Sequence, residues 1–497
     1  MSNPLVDLPA LQVIVPLLTA PVVILLRPAG LAWAAASVAS LFALAVAVAL
    51  TAAVLDASSL GYSMGAWPAP YGIELAVDAF SAILLLVITG ASTLALLASR
   101  VSLTADIEEH RQPLFYAAWL LVLAGLAGMT VAADAFNVFV FMEISSLASY
   151  VLVAGGSDRR ALPAVFKYLI IGTIGATFYL IGIGLIYLMT GTLNLGDMEA
   201  RIQDVADKKP ILVAAGFITV GLGLKAAVFP LHVWLPNAYT YAPHAVSVFL
   251  AACSTKVALY LLLRFDFFVF QQNLFGHSLQ FSLFFMPLAV LGIFVGSWVA
   301  LFERNLKRLL AYSSIAQIGY IMLGASLVSR SGLTASIVHM FNHALAKGAL
   351  FLAVACLATR CPVLRVSDVA GAARTMPWTM AAFVVAGLSL IGVPGTAGFV
   401  SKWYLIAALL GNGLLGALLA ALVVMSSLLA LAYIWRVIES AYFGQPAPAA
   451  RLSGEAPPLL LAGTWAAALA GIYFGLLPSL PVTLSATAAE SLLRHVL

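Results

Sequence analysis

Residues 222–260 read LGLKAAVFPLHVWLPNAYTYAPHAVSVFLAACSTKVALY. Two apolar runs flank a short stretch holding Pro230, Pro236 and Pro243, and each run carries one lysine, Lys225 or Lys256. An apolar helix of roughly 20 residues crosses the ~30 Å hydrocarbon core of a bilayer. Proline removes a backbone donor and blocks a helix interior, so the first run is expected to break at Phe229-Pro230. A break at membrane depth is tolerated where protein or a water-lined cavity receives the freed backbone groups. A lysine at that depth costs roughly 3 kcal/mol or more, and such residues line paths for ions or protons. The stretch therefore predicts a membrane protein that moves protons or cations.

The whole chain agrees. Of 497 residues, 63% are hydrophobic and 9% charged, with mean hydropathy +1.06. That is too little charge for the surface of a soluble domain. A net charge of +4 without a basic run gives no footprint for nucleic acid. Cys253, Cys356 and Cys361 form no CxxC pair and no ligand cluster, so they are expected to pack and no metal site is expected. The first apolar run, from Leu8 to Leu26, has no basic residue ahead of it, since Arg27 follows; it reads as a retained helix.

Hydropathy places about fourteen spans, near 9–26, 31–54, 74–99, 113–133, 136–154, 164–189, 211–229, 242–262, 280–301, 307–328, 333–358, 378–408, 414–442 and 458–478. The connections, such as Arg100 to Gln112 and Asp197 to Pro210, are short, and none separates soluble domains. The expected fold is an all-α polytopic membrane protein with a single membrane domain over 1–497. Within it, 1–112 holds three helices, 113–263 and 280–443 hold five each, and 458–497 holds the last helix and the C-terminus. The twelfth span is interrupted too, by Pro394 and Gly395 in SLIGVPGTAGFVSK. Paired broken helices in corresponding positions point to an inverted repeat with an ion path between its halves. Here spans four to eight would match nine to thirteen.

Loops after odd-numbered spans carry 14 basic residues, from Arg27 to Arg451, against 6 on the other face, from Arg201 to Arg494. The positive-inside rule makes the first face cytoplasmic and both termini external, as in a multi-pass protein of the cell (inner) membrane. The other four of the 24 basic residues are Lys225, Lys256, Lys347 and Lys402, all inside spans.

A carboxylate, Glu143, lies in a fifth apolar run, FVFMEISSL. Paired with Lys225, each group favours the charged form of the other, and separating them frees the lysine to lose its proton. In IVHMFNHALAKGALF, His339, His343 and Lys347 recur every four residues and share one helical face. Imidazole titrates near neutrality and passes protons through either nitrogen, so the stripe reads as a relay. Lys402 follows the Pro394–Gly395 break by about two turns and is close enough to a span end to snorkel. Accessory positions are Asp134, a gate or a helix N-cap; His244, a relay or a cap; His232, half solvated in the broken stretch; and Gln317, which with Ser313 and Ser314 holds water or packs.

The segments KAAVFPLHVWLPNAYTYAPHAVSVFLAACSTK (225–256), NLKRLLAYSSIAQIGYIMLG (305–324), HMFNHALAKGALFLA (339–353) and GVPGTAGFVSKWYL (392–405) resemble one family. It is that of the antiporter-like membrane subunits shared by respiratory complex I, membrane-bound hydrogenases and Mrp-type cation/proton antiporters. Residues 63–82, SMGAWPAPYGIELAVDAFSA, look most like the D subunits of Mrp antiporters, whereas the His–His–Lys array is more like complex I subunits. The resemblance implies an ion pair at Glu143 and Lys225, a central lysine at Lys256, a connecting array at His339, His343 and Lys347, and a terminal group at Lys402. It implies a subunit of a Mrp-type Na+/H+ antiporter, or alternatively of a complex I-type oxidoreductase or membrane-bound hydrogenase. The partners would be other membrane subunits, with H+ and Na+ as the transported ions. The chain has no Gly-rich dinucleotide turn, haem motif or iron–sulfur spacing, so no cofactor is expected in it.

Overall fold

The computed structural model describes residues 7–270, 277–361, 364–445 and 454–493; Arg451 and Arg494, used above for topology, lie outside them. The helices are α1 (Leu8–Leu25), α2 (Ala29–Ala57), α3 (Ala79–Ala98), α4 (Arg100–Asp106), α5 (Gln112–Val131), α6 (Ala135–Ala154), α7 (Ala161–Thr190), α8 (Leu195–Asp204), α9 (Lys209–Ala226) and α10 (Leu235–Tyr241). There follow α11 (His244–Arg264), α12 (His277–Phe302), α13 (Leu306–Ala325), α14 (Arg330–Ala358), α15 (Ala372–Thr375), α16 (Pro377–Ile391), α17 (Ala397–Leu410), α18 (Gly413–Phe443), α19 (Pro458–Leu476) and α20 (Ser479–Leu492). Among the described residues, twelve helices are long and apolar enough to cross a membrane, and α16 and α17 are shorter apolar helices. Helix α13, with Lys307, Arg308, Ser313, Ser314 and Gln317, is not among the twelve. Apart from Arg308 and Tyr312 it is buried along its whole length, so its other polar groups face protein.

Three expectations need correction. The third span was expected from residue 74, but Glu74–Asp78 is a strand, β2, paired antiparallel with β1 (Ser59–Ser63). The segment ELAVD alternates in burial, the period of a strand and not of a helix. Helix α3 starts only at Ala79, where Asp78 and Ser81 form a reciprocal capping box. The stretches read as connections contain helices of their own, α4 and the amphipathic α8. The C-terminal segment adds α20, packed on α14 and α3.

Asp78 also binds Arg264 at the end of α11, with Nη2 at 2.8 Å from Oδ2. Burial pushes its carboxyl up, but the Arg264 guanidinium and the Ser81 donors outweigh this and hold it below the ordinary carboxylate range. The hairpin is thereby tied to the middle of the molecule.

Burial is unevenly shared. In α11 and α14, 94% of an 18-residue apolar stretch is buried, against 39% in α7 and 33% in α18. An apolar helix left open on one side in a membrane protein faces lipid or a neighbour. The enclosed helices are those that carry Lys256, His339, His343 and Lys347. Small residues permit the closest approaches, as in other membrane bundles. A Cβ on Gly221 of α9 would sit 2.5 Å from the Gly175 carbonyl oxygen of α7.

One backbone pattern occurs twice. Ahead of α6, Ala135 N–H donates to Leu193 O and Leu195 N–H to Ala133 O, both at 2.8 Å. Ahead of α13, Leu306 N–H donates to Leu364 O and Val366 N–H to Arg304 O, again both at 2.8 Å. In each case the start of one helix is bridged to the chain leaving the next.

The α7–α9 contact gives a test of packing. Gly221→Ala is expected to cost about 1–3 kcal/mol through overpacking, whereas Gly216→Ala, with nothing within 4 Å of its Cβ, is expected to be neutral. Thermal unfolding of the purified protein in detergent checks the difference.

Candidate functional site

The first expected break is present. Helix α9 ends at Ala226, and Ala227 adopts a left-handed conformation, φ 55° and ψ 40°, which costs a non-glycine residue about 1–2 kcal/mol. The freed carbonyls find donors: Val228 N–H reaches Gly223 O at 3.0 Å, and the Trp234 indole reaches Leu224 O at 2.9 Å. Lys225 stands beside this break. Its Nζ donates to Ser146 Oγ at 2.6 Å and lies 3.7 Å from Glu143 Oε1. The second distance is too long for a hydrogen bond, so charge alone holds the carboxylate. Lysine and glutamate side chains are 10% and 28% exposed, so the pair lies at the edge of the bundle. A cavity of about 30 Å³ leads inward from Lys225 past Ser145, Ser149 and Tyr168 to Ser254 of α11. That is enough for a water molecule.

Lys256 lies two residues beyond Ser254 and is fully buried, with Nζ bonded to the Ala251 carbonyl of its own helix. Helix α14 packs on α11 and presents the expected stripe. The His339 and His343 rings are stacked, with centroids 6.1 Å apart and planes at 12°. His339 Nδ1 meets Ser401 Oγ at 2.8 Å and Nε2 meets Gln317 Oε1 at 3.0 Å. His343 is 2% exposed, and neither ring nitrogen has a hydrogen-bond partner among the described residues. The charges of Lys256 and Lys347 both bear on it. Lys347 Nζ donates to Leu310 O at 2.6 Å and to Ser313 Oγ.

The second break separates α16 from α17, with Gly392 at φ +93° and Gly395 at φ +87°. Lys402 does not snorkel. It folds back from α17 to the open end of α16, donating to Ile391 O at 2.8 Å, Leu390 O at 3.3 Å and Ser427 Oγ at 3.0 Å. An ammonium at a helix C-terminus meets the negative end of the dipole as well as carbonyls without intrahelical donors. The ring of Tyr320 lies 4.8 Å from the same Nζ, and the Tyr320 hydroxyl is 2.7 Å from Ser426 Oγ.

The accessory residues divide. Asp134 is a cap, accepting from Asn137 N–H at 2.8 Å. Gln317 belongs to the array through His339. His232 is half-buried in the first break and stacks on Phe229. His244 opens α11 beside a separate polar cavity. Pro230 falls in the turn after α9, and Pro394 with Gly395 in the gap before α17. Ser146, Ser401, Ser427 and Tyr320 were not foreseen. Ser146 follows Glu143 by three residues and Ser401 precedes Lys402, but a hydroxyl on an apolar helix more often bonds its own backbone. Lys307 was counted with the loops, yet it is 4% exposed.

Chemically, the charges of Lys256 and Lys347 act on His343 and those of Lys256 and Lys402 on His339, while Lys225 stands beside the first break. Each can take and release a proton.

Residues 132–430 match the family model described as NADH:quinone oxidoreductase/Mrp antiporter, TM. The N subunit of the NADH-quinone oxidoreductase of Desulforudis audaxviator is 43% identical over 413 residues, covering 83% of this chain and 81% of its own. The D subunit of the Na(+)/H(+) antiporter of Bacillus subtilis is 29% identical over 384 residues, covering 77% and 76%. The solved Mrp complex from Dietzia sp. DQ12-45-1b contains a chain that superposes with a TM-score of 0.89 at 28% identity, over 98% of both chains.

Gly392 and Gly395 separate backbone strain from crowding. A Cβ on Gly392 would lie 2.8 Å from Lys402 Cδ, whereas one on Gly395 meets open space. Both alanine variants are expected to lose about 1–3 kcal/mol from the left-handed backbone. Only Gly392→Ala should also displace Lys402, and so show the larger loss of thermal stability in detergent.

Proposed function

Because the chain belongs to the NADH:quinone oxidoreductase/Mrp antiporter transmembrane family, we propose that it is a proton-translocating subunit of a multisubunit membrane assembly. Protons enter toward Lys225 and Lys256, cross by the array of Lys347, His343 and His339, and leave by Lys402. The observation that carries this reading is the set of ionisable side chains itself: Lys256, His339, His343 and Lys347 enclosed in α11 and α14, with Lys225 and Lys402 beside the two helix breaks. Burial of that many titratable groups in hydrocarbon is costly, and a path for protons accounts for all of them together.

The repeat expected from the paired prolines fits this reading. Its support is the backbone ladder that precedes both α6 and α13, together with one interrupted helix in each half. Inverted halves would give the two half-paths opposite faces, one for uptake and one for release. The basic face is then cytoplasmic and both termini external, in the cell (inner) membrane.

Glu143 and Lys225 serve as the switch. With the lysine held by Ser146 and the carboxylate 3.7 Å away, a small displacement opens the pair. Separating the charges frees the lysine to pass on its proton. That change of charge reaches neighbouring subunits, because electrostatic interactions are strong in a low dielectric.

The 43% identity to the N subunit of an NADH-quinone oxidoreductase favours a redox-driven assembly, with the redox chemistry in other subunits. A Mrp-type Na+/H+ antiporter is the second reading, favoured by the superposition on a chain of the Mrp complex over 98% of both.

Lys225→Ala and Glu143→Ala are each expected to reduce proton flux about 100-fold or more with the assembly intact. The measurement is a pH-sensitive dye in proteoliposomes carrying the purified complex, beside its polypeptide composition by mass spectrometry; a normal rate in either variant would count against the switch. The same vesicles distinguish the drive. Flux that requires a sodium gradient supports the antiporter, and flux that requires an electron donor and quinone supports the redox pump.

A further inference from the structure

A cavity of about 520 Å³ opens on the face assigned as basic. Loops that follow α4, α6, α10, α12 and α14 meet around it. Its walls hold two ion pairs, Arg160–Asp158 at 2.8 Å and Arg308–Glu303 at 3.3 Å. Arg304 and Arg365 are exposed. In contrast to these, Lys307 lines the same cavity yet is 4% exposed, and its Nζ donates to Ala242 O at 2.5 Å. Asp106 from α4 and His244 from α11 stand by it: the Asp106 carboxylate accepts the backbone N–H of His244, and the charges of Asp106 and Asp158 act on the lysine. Burial raises Asp106 above the ordinary carboxylate range, against the pull of Lys307.

The backbone of the same helix connects this lysine to the array. Leu310 lies three residues further along α13, so its carbonyl is about one turn above Lys307. That carbonyl accepts from Lys347 at 2.6 Å. A single turn of α13 therefore lies between the wall of a polar cavity and the carbonyl that holds Lys347, the last member of the His–His–Lys stripe. By comparison, the water-sized cavity at Lys225 holds about 30 Å³.

We propose that Lys307 is the port of the proton path on the basic face, taking protons from water in the cavity and passing them to Lys347. The inference rests on the proton-translocating reading and deepens it. Supply and control are then separate: Lys307 loads the array, and the Glu143–Lys225 pair sets when it discharges. In each step an amine lone pair accepts one proton and later releases it to the next amine; nothing is oxidised or reduced.

A purely structural Lys307 would only clamp Ala242 and so join α13 to the α10–α11 corner. Arginine can keep that clamp but does not release its proton under working conditions. In the intact complex in proteoliposomes, Lys307→Arg is expected to cut proton flux about tenfold or more with assembly and thermal stability unchanged. A wild-type rate would reduce Lys307 to a clamp and overturn the port. A second arm does not touch the lysine. Ser157→Cys puts a thiol on the cavity wall, and the three native cysteines are buried. A cationic, membrane-impermeant thiosulfonate added on the basic face should slow flux in this variant and leave the parent protein unaffected. Full labelling without any slowing would also overturn the port. Lys225→Ala, run in parallel, separates the two levels. If it is inactive while Lys307→Arg is normal, only the port fails; if both run normally, the proton-translocating reading itself fails.

Discussion

An amine buried in hydrocarbon must be surrounded by oxygen atoms or lose its charge, and the molecule is organised around that constraint. Lys225 has the Ser146 hydroxyl, Lys256 the Ala251 carbonyl, Lys307 the Ala242 carbonyl, Lys347 the Leu310 carbonyl and Ser313, and Lys402 two carbonyls and Ser427. Among the described residues, only Lys225 of these five has a carboxylate within 4 Å. Neutral acceptors suit a group that changes charge, since an amine that has lost its proton still keeps N–H donors for them. A tight ion pair would instead hold the ammonium form and leave an unpaired charge whenever it opened.

The broken helices follow from the same need. Within a continuous helix each carbonyl already accepts a backbone N–H and has only its second lone pair for a lysine, as Ala251 O has for Lys256 and Leu310 O for Lys347, whereas a helix end leaves carbonyls without a backbone donor. Interrupting α16 from α17 exposes Leu390 O and Ile391 O where Lys402 can reach them, and Gly392 lets the chain turn without a side chain in the way. At the other break the freed carbonyl of Leu224 goes to the Trp234 indole, and Lys225 turns toward α6. The two breaks therefore meet their lysines differently: one supplies carbonyl ligands to Lys402, and the other stands beside the Glu143–Lys225 pair.

Much of this was legible in the chain. Apolar runs with four isolated lysines announced membrane depth, prolines marked both interruptions, and the four-residue spacing in α14 put both histidines and Lys347 on one face. The resemblance drawn from residues 225–256, 305–324, 339–353 and 392–405 is upheld by the family match over 132–430. The strand at Glu74–Asp78 was missed because an apolar segment next to a span reads as more span. The hydroxyl ligands were missed because serine in an apolar helix has no distinctive spacing. Lys307 was misplaced because it stands at a helix start among other basic residues, where a count by loops assigns it to solvent.

By itself, then, the sequence determined which segments enter the membrane, where they break and which titratable groups go with them, because hydrophobic transfer and proline sterics are local. Tertiary structure decided which oxygen each amine meets. Those partners come from helices far apart in the chain, Lys347 from Leu310 and Lys402 from Ser427, and only packing brings them together. It also decided that Lys307, at the wall of the cavity, meets the Ala242 carbonyl, which depends on where α10 ends against α13.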